Sequence, residues 1–315
     1  MDPVRAEANL AVDGVVDATS DAPAEKSLLG GIAIMLTGAV SNQTGAAIGA
    51  HAFPFIGPAG VVAVRQIVAA AVLLPVARPP FRRMTWSQWW PTLLLAAVFA
   101  TMNLSLYTAI DRIGLSLAVT LEFLGPLSVA LVGSRTRLDL LIAGAAGIGV
   151  WVLIQPGPTS DWLGIVLALV AAVCWASYIV LNRMLGSRLP GLQAPAAATS
   201  VSALAYLPVL IVLIANGKLV GAALFYAVCA GVLSSAVPYA ADLIALRRVP
   251  ARFFGVFMSV NPVIAAVAGI VLLGQVLDLH EWVGIVIVVV ANAVAVATSG
   301  SRQHRHVVVT PATGE

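Results

Sequence analysis

Three ionisable side chains lie inside apolar stretches of this sequence, where a charge is costly unless another group compensates it. They are Arg65, Glu122 and Asp242. Ionisable residues at bilayer depth face other protein or a watery cavity, and they commonly mark substrate pathways and proton relays. Each of the three is therefore a candidate for binding a proton, an ion or a charged substrate.

Glu122 has the most apolar surroundings of the three. The stretch from Gly114 to Gly133 contains no other charge and is about long enough to cross the core of a bilayer. Pro126 follows one turn later, lacks an amide hydrogen, and frees a carbonyl that another donor must satisfy. A buried acid beside a broken helix is typical of a transport site. The alternative interpretation is a structural carboxylate that pairs with Arg65.

Arg65 and Glu122 are predicted to lie at similar depths from the same side of the membrane. A guanidinium binds a carboxylate in bidentate fashion, and a carboxylate suits an amino group. The two residues could therefore form an ion pair or hold the two ends of an amino acid. Asp242 lies near the cytoplasmic end of its segment. It is either an interfacial acid paired with Arg247 and Arg248 or a gating or proton site.

Polar and aromatic residues in the apolar segments are further candidates for contacting a substrate, and the alternative for each is packing or interfacial anchoring. Residues spaced i,i+3 or i,i+4 share one face of a helix, as two of these pairs do. The candidates are Asn103 with Tyr107, Trp175 with Tyr178, Tyr239 after Pro238, and Asn261 before Pro262. Pro126 and Pro262 are the predicted helix breaks.

The composition determines the class of protein. Of 315 residues, 60% are hydrophobic and 10% charged, and the mean hydropathy is +0.98. Soluble domains contain about 25% charged residues, so the chain is predicted to be an all-α, multi-pass membrane protein. Its net charge of +3 gives no reason to expect a nucleic-acid partner, because the basic residues lie between the apolar segments. The expected partners are the lipid bilayer and a small-molecule substrate.

An enzyme is the main rival class, and the sequence disfavours it. The four histidines lie in loops, at a helix edge or in the tail. The sequence contains neither an H-E-x-x-H motif nor a Gly-rich phosphate loop, so we predict no metal, no cofactor and no catalytic residues.

Ten apolar segments predict ten transmembrane helices with short connections, near 28–48, 59–77, 91–110, 114–133, 138–155, 162–183, 194–215, 220–246, 252–273 and 281–299. Residues 1–26 are predicted to be a disordered acidic tail and residues 300–315 a basic tail. Lys and Arg accumulate in cytoplasmic loops, and alternate loops hold nearly all of them. Both termini are therefore predicted to be cytoplasmic.

The two halves of the chain resemble each other. Residues 31–41 align with residues 164–174, and Pro126 in the fourth segment corresponds to Pro262 in the ninth. We assign residues 27–157 to the first repeat and residues 158–299 to the second. Five spans are an odd number, so the repeats must be inserted in opposite directions. Inverted repeats with a site at their interface are a recurrent plan of secondary transporters.

Several motifs resemble those of the EamA branch of the drug/metabolite transporter superfamily, and more narrowly the bacterial inner-membrane exporters of threonine and homoserine. The Leu-Glu-Phe-x-Gly-Pro element at 121–126 is the most specific. The other matching stretches are Met102-Asn103 with Tyr107, Cys174-Trp175-Ala176-Ser177-Tyr178, residues 233–239, residues 244–250, residues 254–259 and residues 272–274. Asn261 stands where the family usually has an acid, and Asp242 where it usually has Glu.

This resemblance implies proton-coupled export of small amino acids or related metabolites by alternating access across the bacterial inner membrane. Glu122 would be the substrate-binding and proton-responsive carboxylate, Arg65 would hold the substrate carboxylate or compensate Glu122, and Asp242 would serve coupling or gating. A nucleobase, an aromatic metabolite or a cationic drug is the alternative substrate. A membrane scaffold or sensor without transport is the alternative from another functional class.

Overall fold

A computed structural model describes residues 21–132, 136–155, 157, 160–186, 188–238, 241 and 256–307. These residues form helices and turns with no β-strand among them, which confirms the predicted all-α class. The helices are α1 Asp21–Ala50, α2 Phe53–Ala77, α3 Trp86–Ile113, α4 Leu115–Glu122, α5 Leu124–Val132, α6 Arg137–Ile154, α7 Trp162–Gly186, α8 Gln193–Ala205, α9 Leu207–Ala215, α10 Gly221–Gly231, α11 Asn261–Leu273 and α12 Leu279–Val307.

Seven helical stretches among the described residues are long and apolar enough to cross a membrane, with α4 and α5 counted together as one. The bent pair α8–α9 makes an eighth span if it is also counted as one. The first helix, α1, carries the polar run Ser41-Asn42-Gln43-Thr44 in its second half. The eighth predicted segment is represented by the shorter apolar stretch Gly221–Ala236. The count of ten spans and the cytoplasmic orientation of the termini stay predictions. Residues 1–20 of the predicted tail, Tyr239 and Asp242 lie outside the described residues.

Helices from the two predicted repeats pack directly against each other, and most of these contacts occur in corresponding pairs. The contact of α1 with α10 corresponds to that of α7 with α3, and the contact of α1 with α11 corresponds to that of α7 with α4. Three further contacts join helices that correspond to each other: α2 with α8, α4 with α11, and α6 with α12. This arrangement is the one expected if the second half repeats the first.

Two of the spans contain irregular turns close to prolines. The fourth span breaks at Phe123, between α4 and α5, three residues before Pro126. The span that begins with α10 continues as a π-helix over Val232–Ala236, just before Pro238. π-Helical turns are rare and often occur at functional sites. Both irregular turns lie next to residues singled out in the sequence.

Gly125 allows the broken fourth span to approach α7 closely. A Cβ atom on Gly125 would clash with the Ala172 carbonyl oxygen and lie 3.1 Å from its carbonyl carbon. Because the obstacle is backbone, no side-chain rotation can relieve the clash. Small residues at such crossings let two helix backbones come together in membranes.

We predict that Gly125→Ala lowers the apparent melting temperature of the detergent-purified protein by about 3–10 °C, because overpacking costs roughly 1–3 kcal/mol. Gly144→Ala is the matched control, since a Cβ atom there would have nothing within 4 Å. Equal melting temperatures for the two variants would contradict the close crossing.

An ion pair joins the two repeats where α3 ends and α7 begins. Arg112 Nε lies 3.0 Å from Asp161 Oδ2, and the Gly164 backbone N–H donates to Asp161 Oδ1 at 2.9 Å. Asp161 therefore caps the N-terminus of α7, a position that favours aspartate. The Gly164 N–H, together with the Arg112 guanidinium, holds the pKa of the Asp161 carboxyl below its ordinary value of 3.8.

A carboxyl with a lowered pKa in the folded state stabilises the fold fully above its ordinary pKa, and this contribution disappears as the pH falls through the folded-state value. Asp161→Asn keeps the capping oxygen but removes the charge. We expect it to lower the apparent melting temperature at pH 6 by about 1–2 °C. The difference from wild type should shrink as the pH falls below 3.8. Asp111→Asn, next to Arg112 in sequence, is the control, and an equal pH trend there would contradict the assignment.

Candidate functional site

Arg65 lies at the boundary between the two repeats and binds groups of the π-helix. Its Nη2 donates to the Ser234 carbonyl oxygen at 3.0 Å, and its Nε donates to Ser235 Oγ at 3.2 Å. Pro238 has no N–H, so the helical bond from position 238 to the Ser234 carbonyl is missing. Arg65 supplies that donor. The sequence pattern Ser-Ser-Ala-Val-Pro thereby creates the acceptor that holds the guanidinium.

The Tyr107 ring lies under the Arg65 guanidinium. Tyr107 shares one face of α3 with Asn103. Arg65 Cζ is 5.1 Å from the centroid of the Tyr107 ring, which is within the range of a cation–π interaction. The Tyr107 side chain is fully buried, and its hydroxyl has no hydrogen-bond partner in the described part of the chain. A buried hydroxyl without a partner is costly, so this oxygen is available to a ligand.

Glu122 is 6% exposed at the C-terminal end of α4. Among the described residues, no hydrogen bond or ion pair reaches its carboxylate. Arg65 is close enough for the two charges to interact through space, but its guanidinium binds Ser234 and Ser235 instead. The structure therefore brings the two predicted residues into one electrostatic neighbourhood without pairing them directly.

One residue of α7 contacts the break that follows Glu122. The ring of Trp175 meets the ring of Phe123 edge-on, with 4.6 Å between centroids. The preceding residue on α7, Cys174, is half-buried. Tyr178, one turn further on, packs instead against Phe99, 5.4 Å away between centroids, in a separate cluster.

The remaining candidates for substrate contact form hydrogen bonds with backbone carbonyls or with side chains of other helices. Asn103 is buried and its Nδ2 donates to the Phe99 carbonyl of its own helix at 2.8 Å. Asn261 Nδ2 donates at 2.9 Å to the Met258 carbonyl, the group that Pro262 leaves without a helical donor. Asn261 Oδ1 accepts from Gln43 Nε2 of α1 at 3.4 Å. Tyr239 and Asp242 lie outside the described residues.

Three buried polar groups are not among the candidates named from the sequence. Gln43 is 4% exposed and pairs with Asn261 across the repeats. Ser235 binds Arg65. Asn292 of α12 is 1% exposed and donates through Nδ2 to the Phe123 carbonyl at the helix break, at 3.1 Å. For Gln43 and Asn292, the signal in the sequence is an amide side chain inside an apolar segment. A buried amide needs a hydrogen-bond partner, as a buried charge does.

Comparisons with known proteins identify the family of the chain. Residues 162–297 match the family model described as EamA-like transporter family. The chain is 34% identical over 249 residues to Threonine/homoserine exporter RhtA of Salmonella typhimurium (strain LT2), covering 78% of this chain and 84% of that protein. The protein of the same name from Escherichia coli (strain K12) is 34% identical over 255 residues, with the same coverage.

A more distant relative is Uncharacterized transporter YwfM of Bacillus subtilis (strain 168), which is 24% identical over 206 residues. The match covers 62% of this chain and 70% of that protein. A known crystal structure shares the fold with a TM-score of 0.57 at 19% identity, over 88% of this chain and 99% of that one. The curated relatives named here are transporters and not enzymes, in agreement with the prediction from the sequence.

Proposed function

The chain belongs to the EamA-like transporter family, and from this membership we propose that it exports small amino acids of the threonine and homoserine kind. It is a multi-pass protein of the bacterial inner membrane and a transporter rather than an enzyme. The relatives named Threonine/homoserine exporter RhtA support this substrate class. A zwitterion of this size also matches the chemistry of the two central charges.

The observation that carries the proposal is how the two charged residues, Glu122 and Arg65, are surrounded. Glu122 is buried with no partner among the described residues, while Arg65 is held by a carbonyl and a hydroxyl that carry no net charge. A buried carboxyl without a partner is unfavourable unless a proton or a cation satisfies it. An ammonium group supplies that cation, and a proton is its natural competitor.

In the proposed complex, the substrate ammonium binds Glu122 and the substrate carboxylate binds Arg65 and the Tyr107 hydroxyl. The guanidinium retains Nη1 for this purpose, since its hydrogen bonds to the described residues use Nε and Nη2. Trp175, Asn103, Tyr178 and Asn261 complete the lining in this proposal, with Tyr239 from outside the described residues.

Export would be proton-coupled because Glu122 cannot hold a proton and an ammonium group at the same time. The two five-span repeats would alternate the access of this site to each side of the membrane. The corresponding helix contacts between the halves support that rearrangement. The breaks near Pro126 and Pro262 would allow the spans to bend, and Asp242 would act as the second coupling or gating acid.

The first test is uptake of labelled threonine and homoserine into proteoliposomes, with and without an imposed pH gradient. Glu122→Gln should reduce the gradient-driven flux by about a hundredfold or more, because it removes a buried charge that pairs with the substrate. Membrane insertion should persist, since glutamine has nearly the same shape.

The matched control for this test is Glu281→Gln. Glu281 accepts from the Asp278 backbone N–H at 2.8 Å, and the amide oxygen of glutamine can replace it there. Its flux should equal that of wild type. Wild-type flux by Glu122→Gln would exclude the role of Glu122. Absence of flux in wild type itself would favour another metabolite or a scaffold without transport.

A second test uses the two cysteines of the chain, Cys174 and Cys229. In a Cys229→Ala protein, the remaining thiol is that of Cys174, which precedes Trp175 on α7, and Trp175 packs against the break that follows Glu122. Threonine at ten times its dissociation constant should slow alkylation of Cys174 about tenfold, since only about a tenth of the sites remain free.

Two comparisons make the protection specific. The Cys174→Ala protein retains only Cys229 and should show no protection by threonine. Combining Cys229→Ala with Glu122→Gln should abolish the protection of Cys174, because the ammonium then loses its partner. Unprotected Cys174 in a protein that transports threonine would show that the substrate binds elsewhere.

A further inference from the structure

The break in the fourth span needs a donor from another helix. At Phe123 the chain turns out of regular α-helix, and Pro126 cannot donate to the carbonyls before it. The Leu127 backbone N–H reaches the Phe123 carbonyl only at 3.4 Å. In a medium without water, a carbonyl with such a weak bond requires further compensation.

Asn292 of α12 provides this compensation. Its Nδ2 donates to the Phe123 carbonyl oxygen at 3.1 Å, and the side chain is 1% exposed. Its Oδ1 is buried and has no hydrogen-bond partner among the described residues. The protein therefore tolerates one unsatisfied oxygen in order to keep the amide directed at this carbonyl. An apolar residue would avoid that cost.

The bonded carbonyl belongs to the residue that directly follows Glu122. The Phe123 peptide is held on one side by Asn292 and the Phe123 ring is held on the other by Trp175. Its neighbour Gly125 rests on the Ala172 backbone. Three contacts from α7 and α12 thus surround the turn, and the Asn292 bond is the one that fixes the orientation of its backbone.

We infer that Asn292 is a positioning residue for transport: its amide holds the Phe123 carbonyl and thereby sets where the Glu122 carboxyl points in the binding site. This inference rests on the proposed function of Glu122. Asn292 lies in the tenth predicted span. In this inference the span shapes the binding site through its bond to Phe123, without itself contacting the substrate.

The test compares transport by Asn292→Leu and Asn292→Asp with wild type between pH 5.5 and pH 8.5, in proteoliposomes with equal pH on both sides. Leucine cannot donate, so its flux should be about tenfold lower at every pH. Aspartic acid donates to the carbonyl only when protonated. The ratio of Asn292→Asp to wild-type flux should therefore rise as the pH falls. Because Glu122 and Cys174 are common to both proteins, this ratio isolates the new carboxyl.

The control is Asn216→Asp, because Asn216 also donates through Nδ2 to a backbone carbonyl, that of Val212 at 2.7 Å, but is exposed. Its flux ratio should not change with pH. A flat ratio for Asn292→Asp, or wild-type flux by Asn292→Leu, would overturn the inference while leaving the proposed function intact. Absence of threonine flux in wild type would instead reject the proposed function.

Discussion

Backbone carbonyls that lose their helical donor to a proline must find another donor, because the bilayer core offers no water. This constraint accounts for several of the polar side-chain contacts in the structure. In three spans, the carbonyl four residues before a proline accepts a side-chain hydrogen bond: Ser87 from Arg188 before Pro91, Ser234 from Arg65 before Pro238, and Met258 from Asn261 before Pro262. Asn292 serves the break before Pro126 in a related way.

These bonds tie helix geometry to the site. Arg65 belongs to the first predicted repeat and Ser234 to the second, so the bond between them crosses the interface at which a substrate is proposed to bind. In the proposed complex, the substrate carboxylate binds Nη1 of the same guanidinium that holds the π-helix through Nε and Nη2. Substrate binding and the relative position of the two halves are then linked through one guanidinium. Such a link is what coupling between a ligand and a conformational change requires.

Much of this architecture could be predicted from the sequence, because it depends on local chemistry. Apolar length predicted the helices, Pro126 predicted the break found at Phe123, and burial of charge singled out Arg65 with Glu122. Hydrogen-bond partners could not be predicted, since they depend on the rotation and depth of each helix. The wide turn at Val232–Ala236 shifts the register of its own span. The amides Asn103 and Asn261 stand one helical turn before an aromatic residue or next to a proline in the sequence. Gln43 and Asn292 lie in stretches with no such signal, and only the packing of the helices shows what they bind.

The separation of Arg65 from Glu122 is consistent with a transport site rather than a structural ion pair. Breaking a buried ion pair leaves two uncompensated charges, and a substrate would have to recover that loss before it could bind. Here Arg65 is already held by neutral acceptors, and Tyr107 supports its positive charge through the ring face. Glu122 meets no donor among the described residues. In the proposed complex, a zwitterion therefore binds by adding contacts at both ends, without first breaking an ion pair.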